Sequence, residues 1–465
     1  MTSALPQETP KDSLATDMKR LENRMSVLED LLDRAMKENA ALGQAVLERA
    51  KKDGVRLAVL EAYRIVHTLT RASQFYQKAR TVVFVGRSYF GDNIKYAFLS
   101  FCATAREKNI DCYFLAYDEA QYDQLKAAGL PCLTPQVARW TQNDAKILMG
   151  TSVVVLCDNY HPHYGINPIP YALLQGARFI QLWHGIPLKE IGLQHVFAPG
   201  GQNIMLSEII GSSGFFDVLA ATNAASEKDW RRSFGFRDFA PIGYPRNDVF
   251  FREVTPQDLM GVDQESFRLV QTARQEGRAV VIYGPTFRDH IGPNWFERAR
   301  IAELAEYCRA NNHVFLINLH PFEQPAVGDL RKLYPAARFI EPHTDVYPIV
   351  KYASVFITDY SSLVFDVLLV DCPLVFYRPD HEEYMARARA LIPGREGYTP
   401  GEVVTDIASL IQAVTAALHS TDSFKEARAA LRAKLFDHND GCAAQRLGEV
   451  ILKQLEIMQS KAPNT

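Results

Sequence analysis

From residue 81 onward, the hydrophobic positions of this chain form short apolar runs separated by longer amphipathic stretches. In the first half, the runs predict buried strands at 81–85, 112–115, 152–157, 179–183 and 218–220. The stretch 92–108 between two of them has the spacing of a helix. Apolar strands that alternate with helices are typical of a parallel sheet covered on both faces.

The pattern breaks around 239–255, which is rich in proline and glycine, and then starts again. The second set of runs predicts strands at 279–283, 314–317, 353–357 and 374–377. We therefore predict an α/β fold of two doubly wound, Rossmann-like domains. The predicted ranges are 81–255 for the first domain, 256–455 for the second and 456–465 for a tail. Ligands of such sheets bind beyond the carboxyl ends of the strands, so the crevice between the domains is the expected site.

Residues 13–48 carry a heptad repeat of apolar residues. This repeat predicts a coiled coil, which we place at 13–52 after a disordered tail at 1–12. Asn39 falls at a core position, where a polar side chain favours pairing with its copy in a second chain. The prediction is a homo-oligomer joined through 13–48. A lone amphipathic helix packed on the body is the alternative.

Residues 49–80 contain eight Lys or Arg and only two Asp or Glu, interleaved with apolar residues. We interpret 53–80 as a basic amphipathic helical linker. Such a helix is suited to the surface of an anionic membrane. A solvated helix packed on the next domain explains the pattern equally well, because the apolar positions do not form one clean stripe.

The composition is that of a globular protein, with 47% hydrophobic and 23% charged residues. The net charge of −3 provides no basic field for nucleic acid, so no nucleic-acid partner is expected. No apolar run reaches the ~20 residues of a membrane span, and the N-terminus lacks the apolar core of a signal peptide. Seven scattered cysteines without a CxxC pair predict reduced thiols of a cytoplasmic protein, with no metal ligand set.

Four predicted strands end in unusual polar sequences. These are Gln-Leu-Trp-His-Gly-Ile-Pro-Leu-Lys at 181–189, Gly-Pro-Thr-Phe-Arg-Asp at 284–289, Asn-Leu-His-Pro at 318–321 and Thr-Asp-Tyr-Ser-Ser at 358–362. The last leads into a helix predicted at 363–370, whose free backbone N–H groups suit phosphate. The Ser and Thr residues, with Asp366, also fit a plain helix cap.

The four sequences together favour phosphoryl transfer. Such catalysis is mostly positioning and stabilisation of charge on phosphate oxygens. Arginine grips phosphate through two parallel hydrogen bonds, and a neutral histidine can take the proton of an attacking hydroxyl near pH 7. A single histidine at a strand end is more often an ordinary loop residue. Two of them, with an arginine and a Ser/Thr-rich helix start at one crevice, favour a functional site.

The stretch from about residue 180 to about residue 450 resembles the CDP-glycerol glycerophosphotransferases. These are teichoic-acid and capsule glycerol-phosphate polymerases and primases with a GT-B type fold. The matching motifs are WHGIPLK (183–189), GYPRND (243–248), YGPTFRD (283–289), LHP (319–321), TDYSSLVFD (358–366) and DGCAAQR (440–446). The resemblance implies that a polyol phosphate moves from a CDP-linked donor to an acceptor hydroxyl, with release of CMP. It implies an acceptor side in the first domain, a donor side in the second, and no cofactor or metal.

Carried over onto these motifs, the resemblance implies that His184 is the base on the acceptor hydroxyl. His320, the second predicted catalytic residue, would bind the donor diphosphate together with Arg288 and stabilise charge on the leaving CMP. The further residues assigned to substrate binding are Thr286, Thr358, Asp359, Ser361, Ser362, Lys189, Arg246, Asn247 and Asp366.

Within this set, Thr358, Ser361 and Ser362 are expected to hold diphosphate oxygens. The roles of Asp359 and Asp366 are left open, since either side chain could orient a histidine or the loop. Support of the helix alone is a further alternative for Asp366.

Two other hypotheses remain. One keeps the fold and changes the donor to CDP-ribitol or a nucleotide sugar. The other makes the chain a non-catalytic scaffold in which the coiled coil is the active part. The expected acceptor is a polyol phosphate or a glycan, and its attachment to a lipid stays open. The expected location is the cytoplasm, and a peripheral position at the inner face of the membrane stays open.

Overall fold

The structure of the chain is a computed structural model, and it describes residues 57–158, 168–196, 216–286, 295–319, 327–387, 391–395, 397–419 and 422–460. The coiled coil predicted at 13–52 and the tail at 1–12 lie outside the described residues. The chain divides into two compact units, 1–70 and 71–465, and the second contains both sheets. The first described helix is α1 (Leu57–Phe75), which lies in the predicted basic linker.

In the described residues, the first sheet has seven strands in the order β3-β2-β1-β4-β5-β6-β7, and every neighbouring pair is parallel. The strands are β1 (Thr81–Val85), β2 (Asp111–Leu115), β3 (Cys132–Leu133), β4 (Val153–Leu156), β5 (Arg178–Gln181), β6 (Phe216–Ala221) and β7 (Phe236–Pro241). The helices between them are α2 (Asp92–Glu107), α3 (Glu119–Ala127), α4 (Gln142–Gly150), α5 (Pro168–Leu173), α6 (Gly192–Val196) and α7 (Glu227–Ser233). The 3-10 helix Pro245–Phe251 follows the sheet.

The described part of the second half forms a sheet of six parallel strands in the order β10-β9-β8-β11-β12-β13. They are β8 (Val280–Gly284), β9 (Val314–Ile317), β10 (Arg338–Phe339), β11 (Val355–Thr358), β12 (Leu374–Tyr377) and β13 (Glu402–Val404). The helices of this half are α8 (Gln264–Gln275), α9 (Trp295–Arg298), α10 (Ile301–Ala310), α11 (Val327–Leu333), α12 (Tyr347–Val350), α13 (Leu363–Val367), α14 (His381–Arg387), α15 (Ile407–His419), α16 (Lys425–Leu435) and α17 (Ala443–Ser460).

The prediction of two Rossmann-like parallel sheets is confirmed. Runs such as Val82 to Phe84 and Val355 to Ile357 are completely buried, because helices cover both faces of a parallel sheet. β9 and β12 have the predicted bounds 314–317 and 374–377. The domain ranges and the coiled-coil oligomer stay predictions.

The helix predicted at 363–370 is shorter than expected. α13 ends at Val367, and after looser turns the chain reaches Asp371 in the left-handed region, with φ +58. Pro373 follows and leads into β12, so the sequence contains the signals that end the helix early.

The last helix returns to the first sheet. Leu447, Ile451 and Leu455 of α17 are buried in the same core cluster as Val82 and Val153. The helix also continues to Ser460, into the stretch predicted as a tail. Because the described part of the chain ends on the first domain, the polypeptide crosses between the two domains twice.

Candidate active site

A cavity of about 420 Å³ lies between the two domains. The segments that follow β1 and β5 of the first sheet and β8, β9 and β11 of the second form its walls. This is the carboxyl edge of both sheets, where the sequence led us to expect the site. The predicted site residues that line the cavity are His184, Lys189, Arg246, Thr286, Ser361, Ser362 and Asp366.

His184 lies on a tight turn directly after β5. The preceding residue, Trp183, has a left-handed backbone with φ +55, which is costly for a large side chain. Two side chains hold it there: Asn93 Nδ2 donates to the Trp183 carbonyl at 2.9 Å, and Gln181 Oε1 accepts from the Trp183 N–H at 2.8 Å. The Trp183 ring stacks on the imidazole with ring centres 4.2 Å apart. The direction of the His184 side chain is therefore set by its neighbours.

Gly185 brings this turn against the second domain. Its φ of +150 is unfavourable for any other residue. A Cβ added at this position would lie 3.3 Å from Arg246 Nη2 and 3.6 Å from Ser362 Oγ. A side chain would thus crowd Arg246 and contact Ser362, and glycine allows the histidine turn to approach the start of α13.

The imidazole of His184 is set up to be neutral near pH 7. Its Nδ1 lies 3.3 Å from the Cys157 carbonyl and 3.7 Å from Asp158 Oδ1. Desolvation by the surrounding protein lowers its pKa below 6.5, although the side chain remains about 37% exposed. Asp158 opposes the shift and Arg87 adds to it. A neutral and accessible imidazole can accept a proton from a hydroxyl.

Arg246 connects the His184 turn to both domains. Its Nη1 donates to Asp92 Oδ1 at 2.7 Å and to the main-chain oxygen of His184 at 2.8 Å. Its Nη2 donates to Asp366 Oδ2 at 2.7 Å. Asp92 begins α2 of the first domain and Asp366 lies in α13 of the second. The guanidinium is therefore a clamp between the domains at the floor of the cavity.

The clamp places the single positive charge of Arg246 between the carboxylates of Asp92 and Asp366 inside a buried region. All three side chains are at most 4% exposed. Burial disfavours ionisation of Asp92, but Arg246 and Arg87 outweigh it and lower its pKa to about 2. Burial raises the pKa of Asp366, with Arg246 acting in the opposite direction. Removing Arg246 would leave two buried carboxylates without this cation, which is the expensive case.

In the second domain, Asp359 fixes the loop after β8. Its carboxylate accepts from the Thr286 N–H at 2.9 Å and from Thr286 Oγ1 at 2.6 Å. Thr358, which the sequence assigned to the diphosphate, is completely buried, and its Oγ1 donates to the Gly284 carbonyl at 2.8 Å. Neither Thr358 nor Asp359 is among the residues that line the cavity. Both hold β8 and β11 in place.

Ser361 and Ser362 line the cavity just before α13. Ser361 Oγ accepts from the Leu363 N–H at 3.3 Å, so this hydroxyl acts partly as a local cap. α13 has only five residues, which makes its dipole a weak attraction for phosphate. The serine hydroxyls and the loop N–H groups are the donors that this wall offers.

Lys189 reaches the second domain through an aromatic pair. Its ammonium lies 4.9 Å from the ring centre of Tyr384 and donates to the Tyr384 hydroxyl. Tyr384 stacks on Tyr360 with ring centres 4.0 Å apart. The Arg378 guanidinium lies 4.7 Å from the Tyr360 ring centre and donates to the main-chain oxygen of Asp359. Lys189 and Tyr360 of this stack line the cavity.

Two predicted residues, Arg288 and His320, lie outside the described residues. Asn247 is buried and does not line the cavity. Sequence reasoning missed Arg87 and Asp92, although Arg87 follows a buried strand just as His184 does. Arg87 could have been found from the sequence by examining the polar residues after β1 in the same way as those after the other strands.

The sequence profile of the family described as CDP-Glycerol:Poly(glycerophosphate) glycerophosphotransferase matches residues 67–453. The teichoic acid ribitol-phosphate polymerase TarK of Staphylococcus aureus is 27% identical over 315 residues, which are 64% of this chain and 56% of the relative. The teichoic acid poly(glycerol phosphate) polymerase of Bacillus spizizenii is 25% identical over 260 residues, which are 54% of this chain and 63% of the relative. The chain thus spans about half to two thirds of the length of these curated relatives.

Among solved structures, the wall teichoic acid polymerase TagF superposes with a TM-score of 0.65 at 20% identity, over 90% of this chain and 98% of that chain. A TagF variant soaked with CDPG has the same TM-score of 0.65 and covers 90% of this chain. At this level of identity the likeness shows a shared fold. In the part of the chain that the structure describes, no helix is long and apolar enough to cross a membrane.

Proposed function

The chain belongs to the CDP-glycerol:poly(glycerophosphate) glycerophosphotransferase family, and from this membership we propose that it transfers glycerol phosphate from CDP-glycerol to an acceptor hydroxyl and releases CMP. The observation that carries the proposal is the position of His184. Its imidazole has a lowered pKa and lines the same cavity as Ser361 and Ser362 of the other domain. A base on one wall and hydroxyl donors on the other suit a phosphoryl transfer in the space between them.

In this mechanism His184 takes the proton of the acceptor hydroxyl. The acceptor oxygen forms a bond to the phosphorus that carries glycerol. The bond from that phosphorus to the bridging oxygen breaks, and CMP leaves with the electron pair. Ser361 and Ser362 donate hydrogen bonds to diphosphate oxygens. Positive charge from Arg288 and His320 is proposed to stabilise the leaving phosphate, since charge-assisted hydrogen bonds are the strong ones.

The proposal also covers the identity of the acceptor and of the polyol carried by the donor. The acceptor is a growing polyol phosphate or a glycan. Ribitol phosphate is the alternative donor group, because the relatives named above include a ribitol-phosphate polymerase as well as a poly(glycerol phosphate) polymerase. A nucleotide sugar is a more distant alternative with the same fold.

Assembly and membrane contact also belong to the proposal. Residues 13–48 are proposed to join copies of the chain, so removal of 1–48 should lower the oligomeric state measured by light scattering. A membrane surface is proposed to meet 49–80. The exposure of Ile65 and Phe75 in α1, 50% and 82%, supports an apolar contact there. Binding to anionic vesicles, compared with neutral ones, tests it.

The deciding experiment for the function is an assay of CMP release. The full chain is incubated with CDP-glycerol or CDP-ribitol, with a glycerol-phosphate oligomer as acceptor, and the products are read by mass spectrometry. We expect CDP-glycerol to give CMP and an acceptor one glycerol phosphate heavier. If the protein preferred CDP-ribitol, the donor assigned here would be CDP-ribitol instead of CDP-glycerol. Absence of CMP from either donor, with CMP also failing to bind, would favour the scaffold hypothesis.

A further inference from the structure

A chain of alternating charges runs from the His184 side chain to the second domain. Asp158 lies 3.7 Å from His184 Nδ1 and 3.4 Å from Arg87 Nη2. Arg87 Nη1 donates to Asp92 Oδ2. Asp92 Oδ1 accepts from Arg246 at 2.7 Å, and Arg246 binds Asp366 in turn. The order of charges is therefore negative, positive, negative, positive, negative.

This series of charged side chains also contacts the turn that carries His184. Arg246 also donates to the main-chain oxygen of His184 at 2.8 Å, so the turn is held at its backbone as well as at its ring. At the far end, Asp366 lies in α13, the helix that Ser361 and Ser362 precede. A shift of Asp366 would thus move the serine wall relative to the histidine wall.

We propose that Arg246, held between Asp92 and Asp366, is a positioning residue that aligns the base His184 with the donor-side serines. Asp366 acts through Arg246 and is a positioning residue too. The inference rests on the function proposed above and gives Arg246 and Asp366 a role other than direct substrate binding. It follows from geometry: one guanidinium contacts a carboxylate of each domain and the backbone of the base. Such alignment matters because a misplacement of about 1 Å can cost ~10²-fold in rate.

A purely structural role would have different consequences, and the molecule provides a matched comparison. Asp345 of the second domain accepts from Lys95 of the first at 2.8 Å, with both side chains fully buried. This pair also joins the domains, but neither residue lines the cavity. Asp366→Asn and Asp345→Asn therefore remove the same charge from two buried ties between the same domains. Only the first tie includes the backbone of His184.

The test compares these two variants with wild type at a temperature where circular dichroism shows all three folded. We expect Asp366→Asn to lower kcat by about 10- to 100-fold, with the KM for CDP-glycerol changed much less. Asp366→Glu keeps the carboxylate and should recover part of the kcat. Asp345→Asn should lose stability and keep kcat within about twofold of wild type. If Asp366→Asn fails to fold, Arg246→Lys takes its place in the comparison. Lysine keeps the positive charge of Arg246 and lacks the planar guanidinium that contacts two carboxylates.

A second measurement does not depend on turnover. The rate at which diethyl pyrocarbonate modifies His184, read by mass spectrometry as a function of pH, gives the apparent pKa of its imidazole. The charged groups that face this ring are Asp158, Arg87, Asp92 and Arg246. Asp92→Asn removes a negative charge from this set and should lower the apparent pKa. Asp345→Asn should leave it unchanged.

The outcomes separate the inference from the proposed function. A wild-type protein that releases no CMP refutes the function, while the modification of His184 still tests its connection to Asp92. Active wild type, with Asp366→Asn retaining full kcat, overturns the positioning role. So does a loss of kcat in Asp345→Asn equal to that in Asp366→Asn, because the two ties would then be equivalent.

Discussion

Lys95 of the first domain and Asp345 of the second form an ion pair of 2.8 Å between Nζ and Oδ2, and neither side chain is accessible to solvent. Lys95 also donates to the Asp258 carbonyl at 2.5 Å, and the Tyr96 hydroxyl donates to Asp345 at 2.8 Å. The Tyr347 N–H donates to the other carboxylate oxygen of Asp345 at 3.2 Å, so every charged atom of the pair has a hydrogen-bond partner. This is the condition under which a buried ion pair is tolerated.

Loss of one partner of this pair should be severely destabilising. Lys95→Met leaves the Asp345 carboxylate buried without its cation, and we expect a loss of about 3–5 kcal/mol in the free energy of unfolding. Urea denaturation measures it. The control is Lys332→Met, which removes an ion pair with Asp329 at the surface, where the two side chains are 79% and 85% exposed. Equal losses in the two variants would contradict a tight junction between the domains.

Replacement of the proposed base should remove turnover and leave the fold intact. We predict that His184→Ala lowers kcat by about 10²-fold or more, the range for a removed acid–base group. His313→Ala is the control, because this histidine lies beside His419 and does not line the cavity. Steady-state CMP release measures both variants. An active His184→Ala protein would refute the role of the base.

The pH dependence of transfer should follow the lowered pKa of His184. The neutral imidazole is the active form, so kcat/KM should stay level near neutral pH and fall as the pH drops through a value below 6.5. Asp158 raises this pKa, and Asp158→Asn removes that effect. The acid limb of the variant should therefore lie at lower pH than that of wild type. A shift to higher pH would mean that a different group controls the limb.

Binding of CMP should depend on the second domain and not on His184. A ligand that binds only the folded state at 100 times its Kd stabilises it by ~2.7 kcal/mol, which raises the melting temperature. We expect the shift to shrink in Ser362→Ala and Arg288→Lys, since lysine cannot replace the planar fork of arginine. It should persist in His184→Ala. If His184→Ala abolished the shift and Arg288→Lys kept it, the donor would bind the other domain.

The sequence was sufficient for the buried strands, because parallel strands covered on both faces are continuous apolar runs. The edge strand β7 was missed, since Arg237 and Asp238 in it are exposed and break the run. β3 and β10 have two residues each and leave little pattern to detect.

In the site, the sequence indicated His184 and the serines through their positions at strand ends. It could not indicate the contacts of Arg246, whose two carboxylate partners lie 154 and 120 residues away along the chain. It also assigned Thr358 to the diphosphate, whereas its hydroxyl donates to the Gly284 carbonyl inside the sheet. Residue type and local spacing do not reveal which of the hydroxyls at a strand end faces inward.

The hydrogen bonds between Thr286 and Asp359 allow a prediction about the loop after β8, the proposed donor loop. Thr286→Val keeps the shape of the side chain and removes the hydrogen bond of 2.6 Å to the buried carboxylate. A hydrogen bond to a charged group contributes about 1.5–3 kcal/mol, so the loop should be held less firmly. Since Arg288 follows two residues later, we expect a higher KM for CDP-glycerol and a smaller thermal shift with CMP, with kcat affected less. The control is Thr415→Val, which removes hydrogen bonds of 2.7 Å to the Ile411 carbonyl within α15 and of 2.6 Å to the Tyr307 hydroxyl, at a residue that does not line the cavity. If both variants behaved alike, the hydrogen bond from Thr286 Oγ1 would serve stability alone and would have no part in positioning the proposed donor loop.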